Sequence, residues 1–252
     1  MLEAKNITVT AGKTLLLDDV SVTLAAGQVS VILGPNGAGK STFLGCLAGL
    51  RKPDIGTLWL DNMPAATMGH RARARRIGLL PQNADVHWDL AARDLVALGR
   101  FPFRGESSNV QDEEIIDAAM AATQTDEFAA RRVMSLSGGE RARVLLARVL
   151  AGQPEWLLAD EPLANLDPRY QLQMLAQMRA LAKSGTGVVM VLHDLTQAAQ
   201  IADHIVLMRR GRIFAEGSPS FVLTAKNIQE VYGVAATILH DDNGRLIIIP
   251  RA

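Results

Sequence analysis

One cysteine, Cys46, stands in 252 residues. No internal disulfide can form, so the chain suits a reducing compartment and must hold together by packing. Cys46 itself is expected as a small packed residue. An excess of either charge is missing too, because 26 Lys and Arg balance 26 Asp and Glu. A neutral chain offers no basic track for a polyanion, and no nucleic-acid partner is expected. No run approaches the roughly 18 apolar residues of a membrane span. The best candidate, Gly187–Leu192, reads as a buried strand. Met1–Asn6 lacks the apolar core and cleavage site of a secretory leader, so none is expected. Low-complexity segments and flexible linkers are also absent. Apolar residues are plentiful at 48%, enough for the core of one large domain or two small ones.

The run Gly34-Pro35-Asn36-Gly37-Ala38-Gly39-Lys40-Ser41 fits the phosphate-loop pattern G-x-x-x-x-G-K-[ST] at every fixed position. An apolar, β-branched run, Val29–Leu33, precedes it and reads as a buried strand. Thr42–Ala48 follows and reads as the first turns of a helix. Glycines allow the tight backbone whose N–H groups face phosphate oxygens, and the helix start adds the positive end of its dipole. Lys40 can reach the β- and γ-phosphates, and the Ser41 hydroxyl suits Mg2+.

Apolar residues at 156–159 lead into Asp160-Glu161-Pro162, a strand ending in adjacent carboxylates. Asp160 suits Mg2+, directly or through water, and Glu161 is the candidate general base towards an attacking water. Leu136-Ser137-Gly138-Gly139-Glu140 opens a helix over 141–151, and its hydroxyl and glycines form a second anion-binding helix start. One bound nucleotide hardly needs two phosphate cradles unless they belong to different subunits.

Residues 2–33 alternate strands and turns, whereas helical periodicity dominates from about Asp89 to Glu140. After Arg141 the pattern is helix, strand 156–159, helix 168–183, strand 187–192. That alternation predicts an α/β fold with a mainly parallel sheet. Hairpins are expected at 204–215 and 237–249, the second turning at Asn243-Gly244.

At these residues the chain resembles the ATP-binding-cassette (ABC) ATPases, over nearly its whole length. Besides the segments above, it carries Leu80-Pro81-Gln82 like the family's Q-loop, Asn165-Leu166-Asp167 like its D-loop, and Val191-Leu192-His193-Asp194 like its switch-histidine segment, in the family's order and spacing. The resemblance implies a P-loop NTPase fold with an N-terminal antiparallel β subdomain and a helical subdomain inserted at about 84–140. An ATPase domain over 1–235 and a C-terminal hairpin tail over 236–252 complete the expected organisation. It implies ATP and Mg2+ as cofactors, with Gly34 to Ser41 and Thr42 around the phosphates and Ser41, Gln82 and Asp160 around the metal. Lys40, Glu161 and His193 would carry the chemistry, His193 at the γ-phosphate. In a head-to-tail homodimer, each ATP would lie between the phosphate loop of one protomer and Ser137, Gly138, Gly139 and Glu140 of the other, with Asp167 acting across the interface. Departures from the family pattern are the absence of an aromatic over Val9–Lys13, Ala164-Asn165 for the usual Ser-Ala, and Arg141-Ala142-Arg143 for a glutamine-containing run.

Any translocation pore must be another polypeptide. Asp94–Phe103 resembles the V-x-L-G-R-aromatic-P stretch of ATPases that drive import of iron-siderophore, haem and cobalamin chelates. The plain alternative is a loop with a solvated Arg100. The resemblance implies two transmembrane permease subunits, a periplasmic or lipoprotein solute-binding protein, and a peripheral place on the cytoplasmic face of the cell membrane. Alternatives are the ATPase of another importer or of an exporter, and a soluble cassette protein acting in translation or DNA maintenance.

Overall fold

The computed structural model describes residues 1–82, 89–164 and 166–251. The chain opens with β1 (Leu2–Ala11) and β2 (Thr14–Leu24), joined by a tight turn at Gly12. The fully buried β3 (Val29–Leu33) leads into the phosphate loop and α1 (Lys40–Leu47). Then come β4 (Ile55–Leu60), β5 (Met63–Pro64), α2 (His70–Arg76) and β6 (Ile77–Leu80). The helical insertion holds α3 (Ala92–Ala97), a 3-10 segment over Leu98–Phe103, α4 (Asn109–Ala122) and the start of α5 (Gly138–Ala151). Its expected boundary near residue 84 falls outside the described residues.

The second half alternates as the pattern requires. It runs β7 (Trp156–Asp160), α6 (Pro168–Lys183), β8 (Gly187–Val191), α7 (Leu195–Ile201), β9 (His204–Arg209) and β10 (Arg212–Gly217). Short helices α8 (Pro219–Val222) and α9 (Ala225–Tyr232) precede the hairpin β11 (Ala235–His240) and β12 (Leu246–Arg251).

The main sheet has the order β10-β9-β3-β8-β7-β6, and its neighbours from β9 to β6 pair in parallel. Strands buried on both faces need no polar alternation, which is why β3 and β8 read as unbroken apolar runs. One face of this sheet (Ile32, Leu158, Val189, Val206) packs on α1 and on the antiparallel sheet β2-β1-β4-β5. The other face (Val31, Leu157, Val188, Met190) packs on α5, α6 and α7. The C-terminal hairpin is joined to this second core, since Leu246 and Ile248 are buried in it. Thr196 on α7 both accepts from the Ile248 N–H (2.9 Å) and donates to the Ile248 carbonyl (3.1 Å). Among the described residues, no helix is long and apolar enough to cross a membrane.

Arg100 is not a solvated loop charge. It is 5% exposed, donates to Asp112 Oδ1 at 2.7 Å and to the Ala151 carbonyl at 3.0 Å, and stacks on the Phe103 ring. It fastens the insertion to the end of α5, while its neighbours Leu98 and Phe101 stay exposed.

Candidate nucleotide site

Sheet register builds this site. Ile32 pairs with Val191, Val191 with Asp160, and Ala159 with Leu80, so β3, β8, β7 and β6 end side by side. Adjacent strands lie about 4.8 Å apart, so residues just past neighbouring ends come within reach of one bound group. The residues just past them are the phosphate loop, His193, Glu161 and Gln82. In open parallel sheets ligands bind at such carboxyl ends.

The loop owes its path to its glycines. Gly39 caps α1 at φ 97°, and a Cβ there would lie 2.8 Å from the Leu16 carbonyl oxygen. At Gly34 a Cβ would meet the Met208 carbonyl oxygen at 2.4 Å. Lys40, 6% exposed, donates to the carbonyls of Gly34 (2.7 Å) and Pro35 (3.1 Å). An ammonium has three N–H bonds, so one remains for a phosphate oxygen. Burial lowers the Lys40 pKa, and the carboxylates of Glu161 and Asp160 oppose that shift.

Ser41 Oγ donates to Asp160 Oδ1 at 3.2 Å, so hydroxyl and carboxylate share one spot although 119 positions apart. Burial pushes the Asp160 carboxyl up, with Glu161 adding to it, while Ser41, Lys40 and His193 pull the other way. Glu161 adopts φ 50° and donates its N–H to the Val191 carbonyl (3.2 Å). That left-handed turn costs about 1–2 kcal/mol for a side-chain-bearing residue, and strain of this kind gathers at functional positions. Its carboxylate is held on both sides. Gln82 Nε2 donates to Oε2 at 2.6 Å, and His193 Nε2 meets Oε1.

The structure thus brings Lys40, Ser41, Asp160, Glu161, Gln82 and His193 together. Pro35, Asn36, Gly37, Ala38 and Thr42 complete the loop and first turn, with Asn36 and Gly37 exposed. Ser137, Gly138, Gly139 and Glu140 lie apart: among the described residues, no hydrogen bond joins them to the phosphate loop. They form their own helix start. Ser137 caps α5 in a capping box with Glu140, whose Oε2 accepts from the Ser137 N–H (2.8 Å). Arg131 holds the other oxygen of Glu140 at 3.0 Å. The carboxylate of Glu140 is turned inward to stiffen the loop, and the spacing Ser-x-x-Glu was the sequence signal for it. A Cβ on Gly139 would lie 2.8 Å from the Tyr170 ring, so α6 sits hard against this loop. Asp167 stands at the N-cap of α6 without capping it by its side chain. Asn165 lies outside the described residues.

The family pattern of the ABC transporters matches residues 17–164. This chain belongs to that family. It is similar to the hemin import ATP-binding protein HmuV of Bordetella parapertussis, 41% identical over 261 residues covering 99% of each chain. Among solved structures, a dimeric bacterial ABC transporter cassette is 29% identical with a TM-score of 0.79, covering 87% of this chain and 99% of that one. A metal-chelate type ABC transporter in an inward-facing conformation has the same fold, with a TM-score of 0.85 at 24% identity over 100% of this chain and 97% of that one. The α/β cassette with a mainly parallel sheet, expected from the sequence, is therefore the fold of this ABC protein.

Proposed function

We propose that this chain is the ATP-hydrolysing subunit of an importer of iron chelates, with haem as the solute. The observation that carries hydrolysis is the bracketed Glu161 carboxylate beside Lys40, Ser41 and Asp160. The solute rests on 41% identity along the full chain to a hemin import subunit. The stretch Asp94–Phe103 agrees with haem and equally with ferric siderophores and cobalamin.

Each residue has a definable task. The loop amides and Lys40 hold the phosphates. Ser41 and Asp160 offer two hard oxygen donors within hydrogen-bond reach of each other, which fits Mg2+ completed by phosphate oxygens, with Gln82 at its edge. Mg2+ there would neutralise charge on the β- and γ-phosphates. Each Glu161 oxygen keeps a free lone pair beside its bond to Gln82 or His193, so the carboxylate can orient water and take its proton. Gln82 and His193 fix its direction.

Ser137, Gly138 and Gly139 would complete the pocket of a second copy, with Glu140 bracing them and Asp167 at the shared face. The dimeric cassette with the same fold supports this arrangement. Exposed Leu98 lines a groove of about 230 Å³ together with Ala74, Leu79, Pro102 and Arg148, and Phe101 nearby in the chain is exposed too. We assign this face, with its exposed Leu98 and Phe101, to the permease subunits, which puts the chain on the cytoplasmic side of the membrane. A solute-binding protein would deliver the chelate outside.

Reconstitution in liposomes with the cognate permease and binding protein tests the reading. Haem uptake that requires ATP and Mg2+ is expected. Uptake of a siderophore or cobalamin but not haem would overturn the solute, and solute-independent outward pumping would overturn import.

A further inference from the structure

His193 and Glu161 must hold a fixed relation for the site to work, and their direct contact is exposed to solvent. A second link joins the same two loops from behind. Gln197, on α7 four residues after His193, donates from Nε2 to Gln171 Oε1 at 2.9 Å. Gln171, in the first turn of α6, donates from its own Nε2 to the Leu163 carbonyl at 3.2 Å. Leu163 belongs to the turn that starts at Glu161, where the Ala164 N–H donates to the Glu161 carbonyl (3.1 Å). Asp167, at the N-cap of α6, accepts the Gln171 N–H at its carbonyl (3.0 Å).

The direction of this chain is forced. A carbonyl only accepts, so the Gln171 nitrogen must face Leu163. Its oxygen is left for Gln197, which must therefore present nitrogen. Both glutamines are half-buried, so water competes little for the bonds. Neither helix needs them for attachment. Met174 and Met178 bury α6, Ala198 and Ile201 bury α7, and Thr196 ties α7 to β12 on its other side.

We propose that Gln197 and Gln171 are positioning residues that lock the His193 loop to the turn starting at Glu161 and to the Asp167 end of α6 within one protomer. A displacement of His193 at the γ-phosphate then moves the base and the dimer-facing Asp167 together. The inference rests on the hydrolytic reading above and adds a coupling to it.

The test is steady-state ATP hydrolysis by the transporter complex, wild type against Gln197→Met, Gln171→Met, the double variant, Gln197→Glu and Gln197→Lys. Met keeps the volume, Glu keeps polarity without a donor, and Lys restores a donor. Each donor-lacking variant is expected to lose about fivefold or more in kcat, the range seen when coupling residues are altered, with KM for ATP and the melting midpoint little changed. Gln197→Lys should retain most of the activity. The double variant should fall no further than the weaker single, because one chain is broken once. Donor-lacking variants at wild-type kcat, losses that multiply, or a loss in KM alone would each overturn the proposal. Should the Met variants fail to fold, the Glu and Lys pair decides it. A wild type that does not hydrolyse ATP would instead overturn the functional reading itself.

Discussion

Gln82 and Glu161 are 79 positions apart, yet the amide nitrogen of one meets the carboxylate of the other at 2.6 Å. Each stands two residues beyond a paired position, Leu80 opposite Ala159, on neighbouring parallel strands. The bond joins the strand leading towards the helical insertion to the proposed base, so a shift of that strand is felt at the carboxylate.

Removing the charge of Glu161 while keeping its shape isolates its role. Glu161→Gln is expected to lower kcat by about 10²–10⁴, the usual worth of a positioned general base. Mg-ATP binding should stay intact, and nucleotide-dependent dimers should accumulate on size-exclusion chromatography. Turnover near the wild-type rate would remove Glu161 from this role.

Asp160 presents the opposite balance. Burial raises its pKa, so the nucleotide-free fold holds the ionised carboxylate at a cost. Asp160→Asn keeps an acceptor for Ser41 and relieves that penalty. The melting midpoint of the nucleotide-free protein is expected to rise by about 2–4 °C, roughly 1 kcal/mol for a chain of this size. Mg2+-dependent hydrolysis should vanish. Calorimetry beside an ATPase assay reads both, and a lower midpoint would contradict the assignment.

Two glycines of one loop are expected to behave differently. A Cβ at Gly34 would lie 2.4 Å from a backbone oxygen, whereas at Gly37 (φ 77°) nothing stands within 4 Å. Gly37→Ala should cost only the left-handed backbone, about 1–2 kcal/mol. Gly34→Ala must displace β9 as well and should cost about 4 kcal/mol or more. Urea unfolding midpoints compare the two, and equal losses would refute the packing argument.

The capping box of the Ser137 loop carries a pH signature. The Ser137 N–H holds the Glu140 carboxyl below its ordinary 4.5; burial opposes it next in size, and Arg131 and the Ser137 hydroxyl add to the lowering. A depressed acid stabilises the fold above its unfolded value and loses that contribution as pH falls through the folded one. Glu140→Ala should therefore destabilise by about 1 kcal/mol near neutrality, a typical helix cap. The gap to wild type should narrow as pH drops below 4.5. A gap constant with pH would mean that the cap does not depend on the charge.

Much of the site was legible because its parts are local. Gly34–Ser41, Ser137–Glu140 and Asp160-Glu161 are short runs whose chemistry needs only their own backbone and the helix or strand beside them. The apolar runs of β3 and β8 and the turn at Asn243-Gly244 were readable for the same reason. Arg100 was not, since its partners Asp112 and Ala151 come from two other helices. The inward turn of Glu140 depends in part on Arg131, and the Gln197–Gln171–Leu163 chain on how α7 packs beside α6.

The amino-acid order alone thus determined which short segments can cradle a phosphate, end a strand in carboxylates or start a helix, because hydrogen bonding and sterics within a few residues decide those outcomes. Only the folded sheet decided that Lys40, Gln82, Glu161 and His193 face one another. Their meeting depends on strand order and register, which are set by burying both faces of β3, β8 and β7, and no local stretch of sequence contains that information.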